Sequence, residues 1–132
     1  MKILFICKHN RFRSKVAEAI FKKINKKDEV KSAGLHLDLM RLYVSENVKK
    51  ALKKRGIFEI DEKARQINDY DLRWADRIVI VANNVDDNLF TGKTKAKVEK
   101  WKIEDADESE KEKIEKIVQE IEKRVKKLAK EL

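Results

Sequence analysis

The sequence predicts an α/β fold, a parallel sheet with helices on both faces. Three observations predict it. Short continuous apolar runs, Ile3-Leu4-Phe5-Ile6 and Ile78-Val79-Ile80-Val81, have the length and composition of strands covered on both sides. Between the runs lie stretches whose apolar residues recur at helical spacing. The two patterns alternate along the chain, which implies parallel strands joined by right-handed helical crossovers. At 132 residues the length suits one domain spanning 1–132.

Residues 2–6 form the first strand. From Ser14 a helix follows, with Val16, Ala17, Ile20, Phe21 and Ile24 on one face and Lys22, Lys23, Lys26 and Lys27 towards solvent. Residues 29–33 make a short second strand, and Leu35 to Tyr43 reads as a loop with scattered apolar anchors. Ser45 caps a helix carrying Val48, Ala51 and Leu52, which stops at Gly56. A short helix at about 68–75 precedes the strand at 77–82, and a helical turn near 84–90 follows it. Residues 95–101 read as an edge strand. Ser109, with Glu112 three positions on, reads as the capping box of a long final helix whose buried stripe is Ile114, Ile117, Val118, Ile121, Val125 and Leu128.

Charged residues make up 43% of the chain, and no apolar run reaches the ~18 residues of a membrane span. The N-terminus lacks the succession of features of a secretory signal, so a cytoplasmic location is expected. Cys7 is the sole cysteine, which excludes an internal disulfide and fits a reducing compartment. With only His9 and His36 beside it, no metal site is predicted. The formal charge of +9 is uneven: residues 1–56 hold 16 Lys and Arg against 5 Asp and Glu. A field of that sign, around the half that contains Cys7, attracts phosphorylated molecules and other anions.

Cys7 ends the first strand, Arg13 lies six residues on, and Ser14 opens the first helix. A lone cysteine at a strand end is ordinarily a packing residue. The spacing and context point to chemistry instead. In an open α/β sheet the ligand crevice lies at the carboxyl ends of the strands, where the next helix offers unpaired N–H groups and a positive dipole end. A five-residue loop between Cys and Arg can turn successive N–H groups onto an anion, and a guanidinium can grip two phosphate oxygens as a fork. The same positive surroundings favour thiolate over thiol, making Cys7 a candidate nucleophile that Ser14 can support with a hydrogen bond.

The run Cys7-Lys8-His9-Asn10-Arg11-Phe12-Arg13-Ser14, followed by Lys15-Val16-Ala17-Glu18-Ala19, resembles the low-molecular-weight protein tyrosine phosphatases and the related thioredoxin-coupled arsenate reductases. The likeness continues through Ser32-Ala33-Gly34, Ala64-Arg65-Gln66-Ile67, Ala75-Asp76-Arg77-Ile78 and Trp101-Lys102-Ile103-Glu104-Asp105. It implies a three-layer α/β/α, flavodoxin-like fold with a four-stranded parallel sheet. It also implies a cofactor-free, two-step hydrolysis of a phosphomonoester, most naturally phosphotyrosine on a protein or a small aryl phosphate. Cys7 is the implied nucleophile and Asp105 the implied acid and base. Lys8, His9, Asn10, Arg11, Phe12, Arg13 and Ser14 form the implied phosphate-binding loop, supported by Asn10, Ser14 and Ser32. Asn10 is physically apt there, because Asn tolerates a left-handed backbone.

The chain departs from the family pattern in four places. His9 replaces a loop glycine, Phe12 a frequent second cysteine, Glu62 a histidine of the loop-supporting network, and Ala106 the proline after the acid. Residues 106–108 lack the aromatics that flank a phosphotyrosine ring. Two alternatives follow: arsenate reduction with an external thiol, since no relay cysteine exists, and a phosphate-binding module with little turnover. Neither nucleic-acid nor membrane binding is expected. Trp74, Trp101, Tyr43 and Tyr70 read as packing residues, with Tyr43 in a loop that can also border the site, and His36 as an ordinary loop residue.

Overall fold

The computed structural model describes residues 1–132. Strands β1 (Lys2–Cys7), β2 (Glu29–Gly34), β3 (Arg77–Val81) and β4 (Lys97–Trp101) form one sheet in the order β2-β1-β3-β4, every pair parallel. The helices are α1 (Arg13–Ile24), α2 (Glu46–Lys53), α3 (Asp69–Trp74) and α4 (Lys111–Glu131), with a 3₁₀ turn at Asp87–Phe90. The predicted fold class is the observed one, with β4 at the sheet edge.

Side-chain alternation along the strands divides the core in two. Ile3, Phe5, Val79, Val81 and Trp101 pack with α1, α2 and α4 on one face. Leu4, Ile6, Ile78, Ile80 and Ala82 pack with Leu72 of α3 and Phe90 of the 3₁₀ turn on the other. Beyond their first residues, Lys2 and Arg77, the central strands β1 and β3 are therefore apolar and buried, as the runs in sequence required. The stripe of α4 is buried at all six predicted positions.

Three local expectations are corrected. Helix α1 begins at Arg13, so the arginine belongs to its first turn. Its Ile24 is 41% exposed, because the helix ends there and the chain turns away. The Ser109–Glu112 capping box does not form: α4 starts at Lys111, and the Ser109 hydroxyl donates to Asp107 instead. The Ser45 cap does form, accepting from the Val48 N–H at 3.4 Å, and the chain leaves α2 through Gly56 at φ 76°.

Candidate active site

The carboxyl end of β1, the loop before α2 and the loop after β4 converge on a cleft of about 370 Å³ that includes Cys7, His9, Arg11, Arg13, Arg41 and Asp105 in its wall. Its floor is the loop 8–12. None of the five backbone N–H groups of Lys8 to Phe12 donates to a protein acceptor. Helix α1 has Phe12 at its N-cap position and no side-chain cap, so its opening N–H groups also face no side-chain oxygen. Backbone donors so placed at a strand–helix junction form an anion site.

The loop conformation depends on two residues. Asn10 has φ 56°, the only non-glycine residue in the left-handed region, the backbone for which Asn is apt, and His9 needs no positive φ. Behind it, Gly34 approaches so closely that a Cβ there would lie 2.8 Å from the His9 carbonyl carbon and 3.0 Å from the Asn10 nitrogen. His9 is anchored through Nδ1 to the His36 carbonyl at 2.6 Å. Its Nδ1 is the donor there, since a carbonyl can only accept.

A buried hydrogen-bond chain runs from the sulfur to the far side of the loop, and its direction follows from the donors. The Arg65 N–H donates to Asn10 Oδ1 at 2.9 Å, which orients the amide. Asn10 Nδ2 then donates to Ser14 Oγ at 2.7 Å and to Ser32 Oγ at 3.0 Å. Ser32 gives its own proton to Glu18 Oε1 at 2.7 Å. Ser14, having accepted, has its proton free for Cys7 Sγ at 3.0 Å. The serine is thus arranged to stabilise a thiolate. Asn10, Ser14 and Ser32 are brought together as predicted, while the Glu62 carboxylate lies elsewhere and pairs with Lys49 at 2.9 Å. Glu18 and the Arg65 backbone complete the network.

Arg13 is 2% exposed. Nη1 donates to the Ile103 carbonyl at 2.9 Å and Nη2 to Asn84 Oδ1 at 3.0 Å, while Asp105 Oδ2 stands 3.6 Å from Nη2. A guanidinium has five N–H donors, so others remain for a ligand. Asp105 is half-exposed on the cleft wall, with Oδ1 accepting the Ala106 N–H at 2.9 Å. Asp107 is held below the usual carboxylate range by the Ser109 hydroxyl and N–H, with Arg41 and Arg11 adding to the effect. That carboxylate is a poor proton donor.

The remaining wall is charged. Glu108 pairs with Arg11 at 2.8 Å and lies 3.9 Å from Arg41, and its carbonyl accepts from Asn47 at 2.8 Å, so three loops meet over the cleft. Tyr43 offers its carbonyl to Arg11 at 3.1 Å, while its ring is exposed and not part of the wall. The Lys8 side chain also lies outside the wall. Sequence reasoning missed Glu18 and Asn84. The signal for Asn84 was available: a polar pair, Asn83-Asn84, directly beyond a buried strand at the crevice end of the sheet. Glu18 had none, since an acidic residue on a helix is ordinarily a solvated one.

Residues 2–132 match the low molecular weight phosphotyrosine protein phosphatase family. Among solved structures, the arsenate reductase of Archaeoglobus fulgidus is 32% identical over 96% of this chain and 97% of its own, with a TM-score of 0.75. The low molecular weight protein tyrosine phosphatase from T. tengcongensis is 27% identical over 100% and 99%, with a TM-score of 0.83. The YwlE arginine phosphatase from Geobacillus stearothermophilus is 25% identical over 98% and 91%, with a TM-score of 0.81. A search of curated proteins finds no match. With a matching profile across the chain and this loop at its centre, the protein belongs to the low molecular weight phosphotyrosine protein phosphatase family.

Proposed function

We propose that the protein hydrolyses a phosphomonoester through a phosphocysteine on Cys7, with phosphotyrosine as the natural substrate. The observation that carries this reading is the loop itself: five successive N–H groups without a protein acceptor, between a sulfur that receives a serine proton and a buried guanidinium. The N–H groups and Arg13 take the phosphoryl oxygens, and the charge developing on them in the transition state strengthens those bonds. The Cys7 sulfur forms a bond to phosphorus as the bond to the leaving oxygen breaks. Asp105 protonates that oxygen, and then takes a proton from the water that attacks the phosphocysteine. The Ser14 hydroxyl stabilises the sulfur as it leaves. Arg11 and Arg41, although paired with Glu108, present planar faces on which an aromatic ring can stack.

Steady-state hydrolysis of an aryl phosphate tests the reading; phosphate binding without turnover would leave only a binding module. The acid assignment has its own test. Asp105→Asn keeps the shape and removes the proton, so hydrolysis of a poor leaving group such as phosphotyrosine falls about 10²–10³-fold in single turnover, with a smaller loss for an acidic phenol. Equal losses for both leaving groups, together with a graded pattern for Asp107→Asn, would move the acid to Asp107.

A second reading is arsenate reduction, favoured by the 32% identity to an arsenate reductase over nearly the whole chain. Arsenate suits the same donors. Cys7 is the sole cysteine, so the electrons must come from a thiol outside the chain. Arsenite production from arsenate in the presence of glutathione or reduced thioredoxin tests it.

A further inference from the structure

The loop between β2 and α2 reaches the active-site cleft with Asp38 and Arg41, both part of its wall. Between them stand Leu39 and Met40, 80% and 91% exposed, the two most exposed large apolar side chains of the chain. Tyr43, further along the same loop, is exposed as well. A single exposed leucine is ordinary. This pair is held out by its backbone. The Asp38 carbonyl accepts from the Arg41 N–H at 2.9 Å and its Oδ1 from the Met40 N–H at 3.0 Å, closing a tight turn with Leu39 and Met40 at the tip. The base of the loop is tied on both sides, by the His36 N–H to the Lys8 carbonyl at 2.9 Å and by the Ala64 N–H to the Leu42 carbonyl at 2.7 Å. A hydrogen-bonded turn thus presents two apolar side chains to water at the lip of a phosphate site.

We propose that Leu39 and Met40 form a docking lip for a protein substrate and select a polypeptide with a large apolar residue beside the phosphorylated one. The inference rests on the phosphatase reading and narrows its substrate from any phosphomonoester to a phosphorylated polypeptide. Three observations favour this occupant. The pair is continuous with the cleft: a residue whose phosphoryl group sits on the loop 8–12 carries its chain neighbours about 3.8 Å away, Cα to Cα, and so across the lip. Asp38, Asp105, Asp107, Glu108 and Glu110 line the same cleft, which disfavours acidic neighbours in a peptide and also an anionic lipid surface. Finally, two side chains and a neighbouring tyrosine fall short of the ~800 Å² that each partner of a stable dimer buries, whereas a substrate in passage needs only a short contact.

Such a contact has a kinetic signature. It is made away from the reacting atoms and equally in the bound substrate and the transition state, so it lowers KM and leaves kcat unchanged. A small aryl phosphate fills the cleft without reaching the lip and gains nothing from it. Both side chains face solvent, so polar replacements there leave the fold intact.

The test uses two phosphotyrosine peptides, one with leucine on both sides of the phosphorylated residue and one with asparagine, which is of similar size. Wild-type kcat/KM should favour the leucine peptide at least fivefold, through KM. In the double variant Leu39→Ser, Met40→Ser the ratio should fall to within twofold, while hydrolysis of p-nitrophenyl phosphate and Tm keep their wild-type values. The same peptides are titrated against Cys7→Ser by fluorescence anisotropy, which needs no turnover. Tighter binding of the leucine peptide there, lost when the two loop substitutions are added, sustains the lip even if no substrate is hydrolysed, so its failure is separate from that of the phosphatase reading. Equal affinities for the two peptides, no binding of either, or a preference that survives the double substitution would overturn the proposal. So would an equal loss of p-nitrophenyl phosphate hydrolysis in the variant, or a wild-type dimer in sedimentation that the variant loses, which would give the pair to a second copy. Wild-type binding to phosphatidylglycerol vesicles that the variant loses would overturn it in favour of a membrane.

Discussion

Cys7→Ser should abolish hydrolysis of an aryl phosphate, by about 10⁴-fold or more, while the folded protein still binds inorganic phosphate. A serine hydroxyl is held protonated at neutral pH, so the Ser14 hydrogen bond that stabilises a thiolate has no anion to stabilise, and no other cysteine can substitute. Oxygen is smaller than sulfur and fits the same buried position without strain, so the loop and its N–H groups remain. The measurement is a steady-state assay beside a phosphate titration followed by NMR. Residual activity near wild type would remove Cys7 as the nucleophile, and loss of phosphate binding as well would point to a collapsed loop.

Arg13→Lys should lower kcat/KM by about 10²–10³-fold. The guanidinium does more than carry charge. Through Nη1 and Nη2 it holds the Ile103 carbonyl and the Asn84 side chain at once, and Ile103 lies two residues before Asp105. A lysine ammonium is a point donor and cannot span both and a phosphate. The acid loop should therefore loosen together with the grip on the phosphoryl group. Phosphate or vanadate inhibition constants, measured beside kcat/KM, separate the two effects: weaker oxyanion binding reports the lost fork, and a further fall in kcat reports the misplaced acid. Near-normal activity would show that another group holds the phosphate.

The parts of this protein that sequence made legible are those with a period or a spacing. The buried strands β1 and β3 and the α4 stripe follow from apolar pattern, and Cys7, Arg13 and Ser14 from their offset at a strand–helix junction. Capping was legible where the hydroxyl had no rival, as at Ser45. It was not at Ser109, whose N–H and hydroxyl both donate to Asp107 in a turn that delays the helix to Lys111. The supporting network was legible only in part. Asn10, Ser14 and Ser32 came from family resemblance, but Glu62 is turned to Lys49, and Glu18 joins only because α1 lies against β2. Contacts between side chains far apart in sequence leave no local trace. The same holds for Lys15, which reads as one more surface lysine yet is 3% exposed.

The surroundings of Cys7 also set its fate under oxidative stress. A thiolate exposed to peroxide becomes a sulfenic acid, which a neighbouring thiol normally captures as a disulfide and so protects from further oxidation. Here the position where many relatives have a second cysteine is Phe12, 8% exposed and packed into the core. The sulfenic acid has no partner within the chain. Its rescue becomes a bimolecular event, at a rate set by the concentration of external thiol, and it competes with irreversible conversion to sulfinic acid. Loss of function after a peroxide pulse should therefore be reversible in proportion to the thiol present during the pulse, and irreversible when thiol is added only afterwards.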